Sequence, residues 1–303
     1  MTVVVVGDAL IDELRDDSGV REFVGGAALN VAVGLTRLGL AASLVAMLGD
    51  DEPASRIRHY LADYGVELLA TPSLLGTARA VSTRTGGGEP SYEFNEASQR
   101  RRIRFGEQEQ RAMADADLVV VSCFAFDDAE QTAELADALA VAGAPLAIDP
   151  NPRAGMLRDK AEFVRGFEQL AAGAALVKVG EDDAALLYDD RLDALRAKLI
   201  DLGARAVLAT EGAAGASIEA GDVVVTSPIS ALPGRIVDTM GAGDAAFAAT
   251  VAALVDRTPV TGEEWASVLQ EAMDAAAATC RFEGALLRTP SALVHMDLDR
   301  LGT

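Results

Sequence analysis

The chain is predicted to be an α/β protein, a three-layer sandwich with a mostly parallel central sheet, helices on both faces and a small projecting β-sheet. Three features predict it. Short apolar runs alternate with helical patterns along most of the 303 residues, the rhythm of strand–helix–strand units. Those runs are apolar throughout, as strands covered on both faces are. Two polar, turn-rich strips break the rhythm with β-like alternation.

In chain order, "VVVV" (3–6) opens the sheet and a helix is expected over 27–38. "SLVAML" (43–48) follows as a strand, then helices over 53–64 and 107–114. The strands "LVVVSC" (118–123), "PLAID" (145–149), "LVKV" (176–179) and "AVLAT" (206–210) alternate with helices over 128–142, 160–172 and a broken 182–202. "GASIEAGDVVVTS" reads as a hairpin turning at "AGD", with helices over 244–256 and 263–282 closing the chain. The two strips are 12–24 and 77–95, the second holding the strong turn signal "GGGEP". They are expected to join as a lid inserted in a single domain, 1–303; two unrelated surface loops are the alternative.

Half the residues are hydrophobic, enough for a large core and too many for disorder. The 47 acidic and 26 basic residues leave a formal charge of -21, which repels nucleic acid and anionic membranes. The same field repels phosphates, so a phosphate-handling site must supply its own positive potential. Cys123 and Cys280 have no CxxC spacing and read as reduced thiols. His59 and His295 are too few and too far apart for a histidine metal cluster or a Ser-His-Asp triad. The N-terminus lacks a basic segment, and no apolar run nears the ~18–20 residues of a membrane span. A soluble, cytoplasmic protein is expected.

Chemistry concentrates in "DTMGAGDAAFAATVAAL", residues 238–254. A helix starting near Gly243 or Asp244 leaves its first amides without partners and partially positive. Glycines let that backbone approach an anion closely, so the stretch suits a phosphate. A carboxylate at the same place makes sense if it faces a hydroxyl that attacks phosphorus, a step in which the alcohol acidifies as the new bond forms. The helix terminus is expected to keep Asp244 ionised. From this stretch alone, a plain N-cap for Asp244 stays open. A GxGxxA dinucleotide fingerprint (Gly241, Gly243, Ala246) belongs after a first strand, not here, and no GxxxxGK[ST] is present.

A second region stands with it. "VGGAALNVAVGLTRLGLAASLVAMLGD", residues 24–50, pairs Gly25 and Gly26, places Asn30 four residues on, and brings Gly39 and Gly49 in register. Together with the string Asp238 to Asp244, it resembles the two signatures of the ribokinase-like (phosphofructokinase-B type) carbohydrate kinases. "GDALID", "DPNPR", "KVGEDD" and "TEGAAG" are similar to that family's landmarks in the expected order, nearly along the whole chain. Thr250 is a minor departure, standing where the family more often has an apolar residue. The resemblance is nearest to fructokinases.

That resemblance implies roles for individual residues. Asp244 would be the general base, and the backbone of Gly241, Ala242 and Gly243 would stabilise the transferring phosphoryl group. Asp12 and Asn30 would bind sugar hydroxyls, with Gly26 and Ala27 against the ring. Arg153 would reach the phosphoryl group or a sugar oxygen, a surface salt bridge being the alternative. Lys178, Thr210, Gly212, Gly284 and Ala285, with Gly243, would contact the nucleotide; structural pairing of Lys178 stays open. The magnesium region departs from the pattern, with Gly180 in place of an asparagine and Asp183 in place of a glutamate. Asp183 would then assist Mg²⁺ indirectly, and Asp238 would help form a monovalent-cation (K⁺) site. "RRIR" (101–104) offers positive charge, although a solvated face suits it better. The expected partners are ATP, Mg²⁺ and a sugar, D-fructose first, with ribose, 2-keto-3-deoxygluconate, a nucleoside or a sugar phosphate as alternatives. A non-catalytic sugar-binding relative is the reading from another class. No nucleic-acid or membrane partner is expected; a homodimer through the lid is.

Overall fold

The computed structural model describes residues 1–83 and 91–294. The chain runs β1 (Thr2–Gly7), β2 (Leu10–Asp16), β3 (Gly19–Gly25), α1 (Ala27–Arg37), β4 (Ala41–Leu48), α2 (Glu52–Asp63), β5 (Glu67–Pro72), β6 (Ala78–Thr83) and β7 (Ser91–Phe94). It continues α3 (Glu96–Gln99), α4 (Glu107–Ala114), β8 (Leu118–Ser122), α5 (Ala129–Ala142), β9 (Leu146–Asp149), α6 (Lys160–Ala171), β10 (Leu176–Gly180) and α7 (Glu181–Asp183). After a wide π turn at Ala184–Tyr188 come α8 (Leu192–Asp201), β11 (Val207–Thr210), β12 (Ala216–Ala220), β13 (Val223–Ser227), α9 (Ala242–Asp256) and α10 (Gly262–Thr279).

Nine strands form the central sheet in the order β13-β12-β11-β10-β9-β8-β1-β4-β5. Every pairing from β5 to β11 is parallel, and the β12–β13 hairpin closes the far edge antiparallel. The valine run of β1 explains itself here. Val3 and Val5 point into one core with α1, α9 and α10, while Val4 and Val6 point into the other with Phe124, Phe126, Phe163 and Phe167. Strand alternation sends neighbours to opposite faces, and both faces are covered by helices, so all four must be apolar.

The two polar strips meet in a second sheet, ordered β3-β2-β6-β7. Its pairs β2–β3 and β6–β7 are antiparallel, and a parallel β2–β6 pairing joins them. Arg84, the "GGGEP" turn and His295 lie outside the described residues.

Two local readings need correction, and the break expected in 182–202 is present. The strand β5 was not expected: it is an edge strand whose residues are only partly buried apart from Leu69, and it ends on a proline, which weakens the apolar signal. The break in 182–202 is a π turn ending at Asp189, whose φ of 52° is left-handed. The basic run is not simply a solvated face: Arg101 donates to the carbonyls of Cys123, Phe124 and Ser98, while Arg102 pairs with Glu130 and Glu134.

Candidate active site

Because β1, β8, β9, β10 and β11 are parallel neighbours, their C-terminal ends share one edge of the sheet, where ligands bind in open α/β folds. Asp8 follows β1, Asp12 stands in β2 close behind it, Arg153 follows β9, Asp183 follows β10, Thr210 ends β11 and Gly212 lies just beyond it. The backbone is contorted here: Cys123 (φ 50°) and Asn151 (φ 39°) take left-handed conformations just after β8 and β9.

Four long helices elsewhere carry their own caps. Asp51, Asp128, Asp159 and Thr261 cap α2, α5, α6 and α10 through their side chains. The two helices that open on this edge do not. Both α1 and α9 follow glycines, Gly26 and Gly241, with no side chain to offer. At α9 the amides of Gly241, Gly243 and Asp244 meet no acceptor among the described residues. Three open amides on a helix end make an anion hole.

Gly241 has φ 73°, and a Cβ there would come within 2.6 Å of the Ala285 Cα. The hole is thus pressed against the loop carrying Gly284 and Ala285. Asp238 braces the two segments, its carboxylate accepting from the amides of Met240 and Gly284, each at 3.0 Å. A Cβ on Gly243 would stand 3.4 Å from Lys178 Nζ, so the ammonium faces the same hole. Lys178 is only 7% exposed and bonds Asp149, itself 0% exposed, at 3.1 Å. Burial would lower the Lys178 pKa; Asp149, Asp183 and Asp244 outweigh it and hold the ammonium above its ordinary value.

Asp244, in the first turn of α9, accepts from Asn30 Nδ2 at 2.8 Å. This revises two expectations. The helix terminus does not keep its pKa low: burial raises it and Asp8 adds to the rise, against the Asn30 bond, Lys178 and Arg153. A raised carboxyl is a stronger base once ionised. The other revision is that Asn30 spends one side-chain N–H on Asp244, leaving the second N–H and the accepting amide oxygen for a ligand.

Asp12 is partly buried and makes no hydrogen bond among the described residues. Burial, then Asp8 and Asp244, push it up to about 7, with Arg153 opposing. Its carboxylate lies where a Cβ on Gly25 would be, so the first glycine of the pair makes room for Asp12. Gly26 (φ 111°) supplies the turn, and a Cβ there would come 2.8 Å from the Asp8 carbonyl. Arg153 is exposed to the cleft and forms no ion pair among the described residues, yet its charge acts on Asp8, Asp12, Asp149, Asp183 and Asp244. One wall is apolar: Ala27, Cys123 and Met156 pack with Phe94 from the second sheet. Behind it lies a cavity of about 20 Å³, lined by Asp8, Leu10, Met47, Ile103 and Cys123 among others, room for one water.

At the end of β11, Thr210 Oγ1 donates to the Val179 carbonyl at 3.4 Å and Gly212 has φ 51°. Asp183, pushed up to about 6 mainly by burial, accepts from the Gly180 amide at 2.6 Å. Among the described residues no three His, Cys, Asp or Glu side chains gather as a metal cage. Asp183 and Asp149, whose charges both act on Lys178, are the carboxylates that would hold the water shell of a Mg²⁺ brought in on phosphates. The duties of Asp8, Asp149 and Gly25 were missed in sequence; the only signal was an acid directly after an all-apolar strand, at Asp8 and again at Asp149.

Residues 2–292 match the family described as pfkB family carbohydrate kinase. A fructokinase from Rhizobium leguminosarum bv. trifolii is 28% identical over 286 residues, covering 89% of this chain and 85% of the relative. Among solved structures, a fructokinase with bound ATP from Xylella fastidiosa superposes with TM-score 0.82 at 21% identity, covering 99% of each chain. The aminoimidazole riboside kinase of Salmonella enterica, complexed with aminoimidazole riboside and an ATP analog, gives TM-score 0.78 at 24% identity, covering 97% of this chain and 98% of that one.

Proposed function

Because the chain belongs to the pfkB family of carbohydrate kinases, we propose that it transfers the γ-phosphoryl group of ATP to a primary hydroxyl of a small neutral sugar, D-fructose first. It is a phosphotransferase with an alcohol acceptor. The observation that carries the reading is the mouth of α9: a base, Asp244, beside three open amides and a buried ammonium.

Asp244 takes the proton of the attacking hydroxyl as the P–O bond forms. The amides of Gly241, Gly243 and Asp244 and the Lys178 ammonium stabilise the charge on the transferring oxygens, in a setting that needs little reorganisation. Asp12, lacking a donor among the described residues, receives sugar hydroxyls, and Arg153 reaches across to the phosphoryl oxygens. Mg²⁺, when bound with the nucleotide, neutralises phosphate charge. Thr210, Gly212, Gly284 and Ala285 shape the nucleotide's seat.

The second sheet acts as a lid within one domain. Phe94 reaches from it onto Gly155 and Met156, and Phe23 approaches Gly284 while Arg21 pairs with Glu283. Its described arginines are already paired, Arg15 with Glu13, Arg21 with Asp16 and Glu283, and Arg79 with Glu13 and Glu22, which favours an unphosphorylated sugar. The outer strands β3 and β7 expose Val20 (63%) and Tyr92 (61%), and such edges suit pairing with a second copy; sedimentation checks this. No helix among the described residues is long and apolar enough to cross a membrane.

The test is ADP release with MgATP over a panel of fructose, ribose, 2-keto-3-deoxygluconate, fructose 6-phosphate and nucleosides, with and without K⁺. Turnover fastest on a neutral sugar is expected. Silence on every acceptor would favour a non-catalytic sugar binder, and preference for a sugar phosphate would overturn the substrate class.

A further inference from the structure

Helix α1 borrows its cap. Gly26 cannot bond the free amides behind it, yet two are satisfied by a residue on another element: Asp8 Oδ1 accepts from Ala28 at 3.0 Å and the Asp8 carbonyl from Leu29 at 3.2 Å. We infer that Asp8 is a positioning residue for phosphoryl transfer, which caps α1 from the end of β1 and so fixes Asn30 against Asp244. The inference rests on the kinase reading above.

The links are short. The glycine turn lies flush on Asp8, since a Cβ at Gly26 would sit 2.8 Å from its carbonyl. The Asn30 amide donates to Gly26 at 2.8 Å, the first bond of α1, and its side chain donates to Asp244 at 2.8 Å. Asp8 is 8% exposed, so its carboxylate is occupied inside the protein more than offered to a ligand. A carboxylate suits a helix N-terminus because the helix dipole is positive there. The base is thereby held from Asp8 through its bonds to Ala28 and Leu29, the start of α1, and the bond from Asn30 to Asp244.

Four variants of the full chain test it, with MgATP and D-fructose or the panel sugar turned over fastest: Asp8→Ala, Asp8→Asn, Asn30→Ala, and Asp8→Ala with Asn30→Ala. Asp8→Ala is expected to lower kcat about 10- to 100-fold with the ATP KM within about twofold, the usual scale for a misplaced catalytic group. Asp8→Asn recovers most of that loss, because its amide oxygen still accepts from Ala28. The double variant is little worse than Asn30→Ala, as members of one chain of contacts are not additive. Independently of turnover, amide hydrogen exchange over residues 26–31 speeds up in Asp8→Ala and not in Asp8→Asn. If Asp8→Ala does not fold, Asp8→Ser, with a shorter reach, takes its place. Loss in Asp8→Asn as deep as in Asp8→Ala, multiplying losses in the double variant, or unchanged kcat in Asp8→Ala would overturn the inference. A wild-type chain silent on the whole panel would instead overturn the kinase reading, and the exchange experiment would still decide the cap.

Discussion

Asp12 and Asp244 face the same cleft, and burial raises both, but they are equipped differently. Asp244 is held by Asn30 and flanked by Lys178 and Arg153, so it is fixed for one task. Asp12 has no protein donor among the described residues, and burial pushes it up to about 7. Only the ionised form accepts hydroxyl donors with both oxygens. The acceptor KM is therefore expected to rise up to ~10-fold as pH falls from about 8 to about 6, with the ATP KM nearly flat. Steady-state kinetics across that range checks it; an acceptor KM that is flat or falls would remove Asp12 from the acceptor site. Asp12→Asn should give a high acceptor KM without that pH dependence.

The site helices α1 and α9 begin on glycines where α2, α5, α6 and α10 begin on Asp or Thr, and at α9 the missing cap is what leaves amides for phosphate. Gly241 is therefore irreplaceable on two counts, its left-handed φ and its contact with Ala285. Gly241→Ala is expected to cost about 1–3 kcal/mol in folding and to lower kcat ~100-fold by moving the hole. Thermal melts and kinetics together check it, and a variant of normal stability and turnover would contradict the arrangement. The lid makes a separate expectation. Phe94 belongs to the second sheet yet packs on Ala27, Cys123 and Met156, so Phe94→Ala should raise the acceptor KM about 10-fold while sparing the ATP KM. Equal effects on both substrates would argue that the contact merely holds the fold.

Across the molecule, five cleft carboxyls, Asp8, Asp12, Asp149, Asp183 and Asp244, are raised above their ordinary value. For Asp12 and Asp183, with folded values of about 7 and about 6 against 3.8, the folded chain binds more protons than the unfolded one across that window. Stability from these groups is present at its acid end and falls as pH rises through it. The melting temperature should be higher at about pH 6 than at about pH 8, and Asp12→Asn should narrow the difference; no change in that difference would contradict the assignment. The surface carboxylates Asp16, Glu22 and Asp193 are lowered by their partners, so their contribution is fully present from about pH 6 to about pH 8 and is lost only as pH falls through more acid values.

Much of this was legible in the residues because the constraints are local. A strand covered on both faces must be apolar throughout, which exposes β1, β8 and β10; the edge strand β5 is free of that demand and was missed. The glycines of 241–243 announce an anion hole because no other residue permits it. The duties of Asp8, Asp149 and Gly25 arise only where β1, α1, β9 and β10 meet, and the hydrogen bond from Asn30 to Asp244 spans 214 residues. No spacing in the sequence encodes such a meeting.

The most direct test is the turnover of Asp244→Asn beside the wild type on the best sugar, with nucleotide binding and thermal melting measured on the same samples. The base assignment predicts a kcat lower by about 10³-fold or more with ATP affinity and fold retained. Turnover within about tenfold of the wild type would contradict it.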